Sequence, residues 1–169
     1  MRPRADEVMD SIISTYDEHV LPAVQDGLPR SFALTISNLL RHVQLRMKLE
    51  GPALMADNAE ISAVLGKAAD YVAALNPAPE SLQKLLDAMR SAAEDGAPPA
   101  YLNLERLNDE AQRLRGLLDQ VLRALQEHRP SLGQQAEYRL VRNSIRTYLA
   151  NQIGRESAWI RDAFTAERR

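Results

Sequence analysis

Three histidines are the side chains best suited to acid–base chemistry near neutral pH. His19 follows Asp17 and Glu18, which suggests a general base, but its place at the edge of a helical apolar face is more typical of a packing residue. His42 lies between two apolar stripes of a predicted helix. His128 lies near a predicted helix C-terminus, where its cationic form suits the helix dipole. We therefore assign no catalytic residue.

The motifs that hold metals or cofactors are missing from the sequence. It contains no cysteine, which excludes disulfides, thiolate metal sites and cysteine nucleophiles. Metal centres in helical bundles use Glu-x-x-His pairs, and none occurs. A His-Glu-x-x-His, a Gly-x-Ser-x-Gly, a phosphate-binding glycine loop and a dinucleotide fingerprint are missing too. The sequence predicts no metal and no cofactor, and it favours a noncatalytic role over an enzyme of unrecognised mechanism.

The end of the chain carries a local excess of positive charge. From Ser131 onward there are seven arginines against four acidic residues, a local net charge of +3. Arg139, Arg142 and Arg146 share one stripe of a predicted helix. One interpretation is a solvated edge whose arginines pair with acidic neighbours such as Asp119 or Glu127 on the preceding helix. The alternative is an edge that binds a phosphorylated ligand or an acidic partner, because guanidinium groups suit phosphate.

Two polar residues interrupt the apolar face of the last predicted helix. Gln152 and Glu156 lie between Leu149 and Trp159, so this face is either exposed or lines a polar pocket or a subunit contact. One hypothesis is therefore a helical bundle that binds a small ligand in a pocket. The residues that would border this pocket are His42, Arg146, Gln152 and Glu156.

Apolar residues recur at helical spacing almost throughout, which predicts an all-α, single-domain bundle of about six helices. The first helix, about 5–24, has an apolar face of Val8, Ile12, Tyr16, Val20 and Ala23. The second, 29–50, is expected to stop at Gly51-Pro52. Its main stripe is Phe32, Ile36, Leu39, Leu40, Val43 and Met47, and its second stripe, a candidate interface, is Leu34, Leu45 and Leu49.

The remaining helices have clear start and stop signals. Asp57 and Glu60 predict a capping box for the third helix, and Asn76-Pro77 ends it. A fourth begins at Pro79, and Pro98-Pro99 then separates a four-helix portion, 1–95, from a long helical hairpin, 98–169. The fifth helix, about 102–128, has a seam that includes Leu114 and Leu118, and Ser131 with Gln134 predicts a cap for the sixth.

Composition excludes several classes of partner and location. With 21 basic and 23 acidic residues the net charge is −2, so no general affinity for nucleic acid is expected. No stretch approaches the roughly 20 apolar residues that cross a bilayer, so no membrane insertion is expected. The first ten residues lack a secretory pattern, which leaves a soluble protein of the cytoplasm.

The predicted length of the last two helices favours self-association. They exceed the earlier predicted helices by about two turns, and the excess carries apolar side chains. A twofold homodimer would bury them. The interface residues would be Leu104 and Leu107 at one end and Trp159, Ile160 and Phe164 at the other.

The N-terminal residues resemble a family of small uncharacterised bacterial helical proteins. The resemblance covers about Arg2 to Gly66 and lies mostly in turn and packing residues: Arg2-Pro3, Val20-Leu21-Pro22, Leu28, Phe32, Asn38, Leu40, Val43, Leu49, Gly51-Pro52-Ala53-Leu54 and Leu65-Gly66. Genes of that family often neighbour genes for aminoglycoside-phosphotransferase-like kinases and acyl-CoA-dehydrogenase-like enzymes. The resemblance therefore implies an accessory protein with a kinase-like or acyl-CoA-metabolising partner, and it assigns no catalytic residue.

Overall fold

The computed structural model describes residues 2–94 and 103–165, with side chains described as far as Ser157. The described residues form helices and turns without a strand, so the predicted all-α class is confirmed. The helices are α1 (Ala5–Thr15), α2 (Leu28–Ala74), α3 (Glu80–Gln83), α4 (Leu86–Glu94), α5 (Leu104–Glu127), α6 (Arg129–Leu132) and α7 (Ala136–Thr165). A π-helical turn, Tyr16–Val20, and a 3-10 turn, Leu21–Ala23, continue α1.

The chain divides into two compact units. Unit 1 contains Met1–Glu50 and the end of the chain from Gly154, and unit 2 contains Gly51–Ile153. The boundaries therefore lie within α2 and α7 rather than at Pro98-Pro99, which falls outside the described residues.

The prediction that Gly51-Pro52 ends a helix is wrong. Helix α2 runs through both residues and is 47 residues long. Pro52 has no N–H to donate to the carbonyl one turn earlier, which normally costs about 3 kcal/mol in a helix interior. Burial of Leu54, Ile61 and Leu65 immediately after it favours the continuous helix. Asp57 therefore lies inside α2 and caps nothing.

Unit 2 is a helical bundle with one large apolar core and a smaller buried cluster of Leu54, Leu107 and Ala111. It is built from the later part of α2, the helices α3 to α6, and α7 as far as Ile153. Leu114 and Leu118 are buried, which confirms the predicted seam of α5. Tyr138 of α7 donates a hydrogen bond to the carbonyl oxygen of Leu125 at 2.9 Å, so α5 and α7 form the predicted hairpin within this unit.

The start of the last helix differs from the prediction. Ser131 lies inside the short helix α6, and its hydroxyl donates to the carbonyl oxygen of His128 at 3.0 Å, so it does not cap α7. Pro130 explains why the short helix α6 forms here, because proline is favoured at the first positions of a helix. Helix α7 begins at Ala136 instead.

The length argument for a dimer through the C-terminal helices also loses its premise. Helix α2, with 47 residues, is longer than α5 with 24 and α7 with 30. Leu107 is buried, and only Leu104 of that predicted pair is exposed. Trp159, Ile160 and Phe164 lie beyond the described side chains.

Candidate protein-interaction surface

In unit 1, α1 and α2 are joined by a set of polar contacts that we call the polar seam: Asp10, Tyr16, Asp17, Ser37, Arg41 and Gln44. The Asp17 carboxylate accepts hydrogen bonds from Ser37 at 2.7 Å and from Arg41 at 2.5 Å. The Tyr16 hydroxyl donates to the carbonyl oxygen of Ala33 at 3.0 Å, and Gln44 donates to Asp10. Ser37 is only 1% exposed, so these contacts hold the two helices together.

Most of the main predicted stripe of α2 is exposed, and Leu40 is half-buried. We call the exposed residues of this face, which also include Leu28, the α2 stripe; they are Leu28, Phe32, Ile36, Leu39, Val43 and Met47, and 43% to 67% of each is exposed. Their spacing of three and four residues places them on one face of α2. The face that packs against α1 is the one that carries Ala33, Ser37 and Arg41.

The predicted apolar face of the first helix is exposed in the same way. Val8, Ile12 and Val20, which we call the α1 stripe, are 42% to 45% exposed. They line an open groove of about 730 Å³. The other residues that line this groove are Pro3, Glu7, Ser11, Thr15 and Tyr16.

The exposed apolar area of α2 is comparable with the largest apolar patch of a typical monomer, and α1 carries a second, smaller exposed stripe. At roughly 150–200 Å² per fully exposed residue, the α2 stripe exposes about 550 Å² and the α1 stripe about 200 Å² more. The largest apolar patch on a typical monomer is roughly 300–600 Å² and is often functional. We define the two stripes together as the apolar surface of unit 1, and it is the candidate functional site.

The predicted second stripe of α2 is less open than the main stripe. Leu34 and Leu45 are half-buried, and Leu49 is exposed. Near them on the helix, Asn38 Oδ1 and His42 Nδ1 are buried and accept no hydrogen bond from any part of the chain that the structure describes.

In the arginine stripe of α7, Arg139 and Arg146 are exposed and Arg142 is half-buried, and the expected pairing with neighbouring acids is wrong. Asp119 pairs with Arg123 at 2.9 Å, within α5. Arg139 donates to the carbonyl oxygen of Gln134 at 3.3 Å. Arg139, Arg142 and Arg146 form no ion pair with a residue in 2–94 or 103–157, so this edge of unit 2 keeps its positive charge.

The residues of the hypothetical ligand pocket are divided between the units. His42 and Glu156 belong to unit 1, whereas Arg146 and Gln152 belong to unit 2. The other two histidines are not among these pocket residues. His19 is exposed, and His128 Nε2 lies 2.8 Å from the Ser81 hydroxyl.

A buried polar cluster in unit 2 was missed by the sequence analysis. Asp57, which is 4% exposed, accepts a hydrogen bond from Arg115 at 2.7 Å and one from the Tyr148 hydroxyl at 3.3 Å. Burial and the neighbouring Asp57 carboxylate together raise the pKa of Tyr148 above its ordinary value. The neighbouring Asn58 donates to the carbonyl oxygen of Leu107 at 3.1 Å.

This cluster joins α2, α5 and α7 and is best explained as structural. The Arg115 guanidinium pairs with the carboxylate and competes with its use as a general base. A sequence signal for the cluster existed, because Asp57 lies four residues before Ile61, on the apolar face of α2 that forms the core.

Within 2–94 and 103–157, no three His, Asp or Glu side chains come together as metal ligands would. None of the described helices combines the length and apolar character that a bilayer span requires. The described residues therefore form an all-α helical protein that has an open apolar face in unit 1.

Comparison with protein-family models, with curated proteins and with solved structures gives no match.

Proposed function

We propose that this chain is a noncatalytic helical accessory protein that binds another protein through the apolar surface of unit 1. The observation that carries the proposal is the orientation of α1 and α2. Their polar side chains meet at the polar seam, while the α1 and α2 stripes remain 42% to 67% exposed. An amphipathic helix normally turns its apolar stripe toward the protein interior.

The energy available from covering this surface supports a binding role. Burying about 550 Å² of apolar area contributes on the order of 10 kcal/mol before the entropic cost of association is subtracted. The hydrogen bonds of Asp17 to Ser37 and Arg41 form within the chain, so the surface does not need to be assembled by the partner. Helix faces of this kind bind the apolar face of a second helix.

The resemblance to the bacterial family suggests which partner to test first. It implies a kinase-like or acyl-CoA-metabolising enzyme as the protein that unit 1 contacts. The near balance of acidic and basic residues supports a protein partner over nucleic acid. We place this function in the cytoplasm.

The experiment compares two substitutions of exposed leucines. Leu39→Glu puts a charge in the middle of the α2 stripe, whereas Leu140→Glu changes a leucine of α7 in unit 2 that is 68% exposed. Both tagged variants are purified from the native host beside the unmodified protein. We expect a partner that is lost with Leu39→Glu and kept with Leu140→Glu. Equal recovery of every partner from both variants would contradict the proposal.

A second proposal concerns the arginine stripe of α7. Arg142 is half-buried between the exposed Arg139 and Arg146, and these side chains form no ion pair with the described acidic residues. Such an edge suits a phosphorylated ligand. Phosphate and nucleotide mixtures should raise the melting temperature of the protein, and Arg142→Gln should remove that rise. A rise that persists in the variant would place anion binding elsewhere.

A further inference from the structure

We infer that the occupant of the α2 stripe is a second copy of this chain, paired along α2 about a twofold axis. The inference rests on the proposed binding role of this surface, and for the α2 stripe it names a second copy in place of the enzyme partner that the resemblance suggests. It differs from a dimer through the C-terminal helices, because the contact would lie in the first half of α2.

The order of side chains along the stripe is the first argument. Phe32, Ile36, Leu39 and Val43 follow one another at intervals of four, three and four, as the a and d positions of a coiled coil do. The β-branched Ile36 and Val43 occupy a positions and Leu39 occupies a d position. This arrangement favours the pairing of two helices.

The residues beside the α2 stripe give the second argument. In coiled coils, charged side chains at the flanking e and g positions select the partner and its orientation. Here those positions are Ala33, Thr35, Leu40 and His42, none of which carries a fixed charge. Between Phe32 and Val43, two identical stripes can therefore approach without repulsion between like charges; the next d position is Arg46, whose charge is paired with Glu50 in the same chain.

The available area is the third argument. Two copies of the α2 stripe would bury roughly 1,100 Å² of apolar surface in total, which already exceeds the ~1,000 Å² that separates specific interfaces from incidental contacts. If the α1 stripes were covered as well, the total would approach the ~1,600 Å² of a standard interface. A twofold arrangement uses the same patch on both copies, so one exposed patch per chain is sufficient.

The first test is the mass of the full chain in solution. Sedimentation equilibrium over roughly 1–100 µM should give twice the chain mass of 18.9 kDa. Leu39→Glu should raise the dimer dissociation constant by at least about 100-fold, because two buried carboxylates would face an apolar seam. Leu140→Glu should leave the constant within about threefold. Circular dichroism checks that both variants remain folded, which is expected because Leu39 and Leu140 are exposed.

A second test locates the contact along α2. The chain has no cysteine, so a single introduced thiol has one possible disulfide partner, the same thiol in a second copy. Phe32→Cys, Ile36→Cys, Leu39→Cys and Val43→Cys are each oxidised at micromolar concentration, with Leu140→Cys as the control. We expect disulfide-linked dimers from at least one stripe position and none from the control. Failure at all four positions would overturn pairing along the stripe.

The outcomes separate this inference from the proposed function. A monomer mass for the unmodified chain, together with a host partner lost in Leu39→Glu, overturns the second copy and leaves the binding role. A monomer that shows no such loss overturns both. A dimer that Leu39→Glu does not weaken also overturns the inference, because the contact then lies outside the α2 stripe.

Discussion

Replacement of Arg115 by methionine tests the explanation of the buried polar cluster. Arg115 lies on α5 and donates to Asp57 at 2.7 Å, and the Asp57 side chain is only 6% exposed. The variant removes this charged donor from a buried carboxylate that also accepts a hydrogen bond from Tyr148 at 3.3 Å. Removing one partner of a fully buried pair costs roughly 3–5 kcal/mol. Because the Arg115 side chain is 38% exposed, we discount this to about 2–3 kcal/mol.

The same helix supplies a matched control. Arg123 pairs with Asp119 at 2.9 Å, but both side chains are more than half exposed. Arg123→Met has the same change in charge and nearly the same change in helix propensity, and it should cost less than about 0.5 kcal/mol. Urea denaturation followed by circular dichroism measures both. Equal losses of unfolding free energy in Arg115→Met and Arg123→Met would refute a structural role for the buried pair.

Substitutions at four positions and a rise in pH test the fold further. Leu114→Ala should cost about 2–5 kcal/mol in urea melts, and a loss under about 1 kcal/mol would show that the core is misplaced. Gly116→Ala should add up to about 1 kcal/mol because its Cβ meets nothing within 4 Å, whereas at Gly133 a Cβ would lie 2.6 Å from a carbonyl oxygen and should destabilise. Pro52→Ala should also raise the melting temperature, since it restores a donor inside α2; a decrease would mean that the proline is required. Because the fold raises the pKa of Tyr148, the protein should lose stability as the pH rises above about 10. Ultraviolet titration of the folded protein should show a tyrosine that ionises at a higher pH than an exposed tyrosine does. A titration without such a step would contradict the burial of Tyr148.

Sequence periodicity was sufficient for the buried face of α5 in unit 2, although the helix starts predicted at Asp57 and Ser131 were wrong. The alternation of three and four residues along α5 identified Leu114 and Leu118 as core, and both are buried. The cluster around Asp57 was missed because a carboxylate at the start of an apolar run has the same local pattern as a helix cap. What distinguishes the buried polar cluster from a helix cap is the approach of Arg115 and Tyr148, which are 58 and 91 residues away in sequence.

The Gly51-Pro52 pair shows a different limit of sequence reasoning. These residues were expected to end a helix, and α2 instead continues through them to Ala74. The boundary between the compact units nevertheless lies between Glu50 and Gly51. The glycine and proline therefore mark a real division of the chain, but local propensity could not decide whether the backbone there is a turn or a helix.

The orientation of α1 and α2 could not be predicted because periodicity identifies residues that share a face but not what covers that face. The stripe from Phe32 to Met47 had the pattern of a buried surface, and it is exposed. The decisive contacts come from Asp17, whose carboxylate can accept hydrogen bonds from both Ser37 and Arg41 only if the polar faces meet. Hydrogen bonds to a charged group contribute about 1.5–3 kcal/mol each, whereas the apolar stripe can still gain its burial energy from a second chain. A helix pair whose polar contacts form within the chain can therefore leave its apolar faces open, and burial of those faces by the proposed partner would add to its stability.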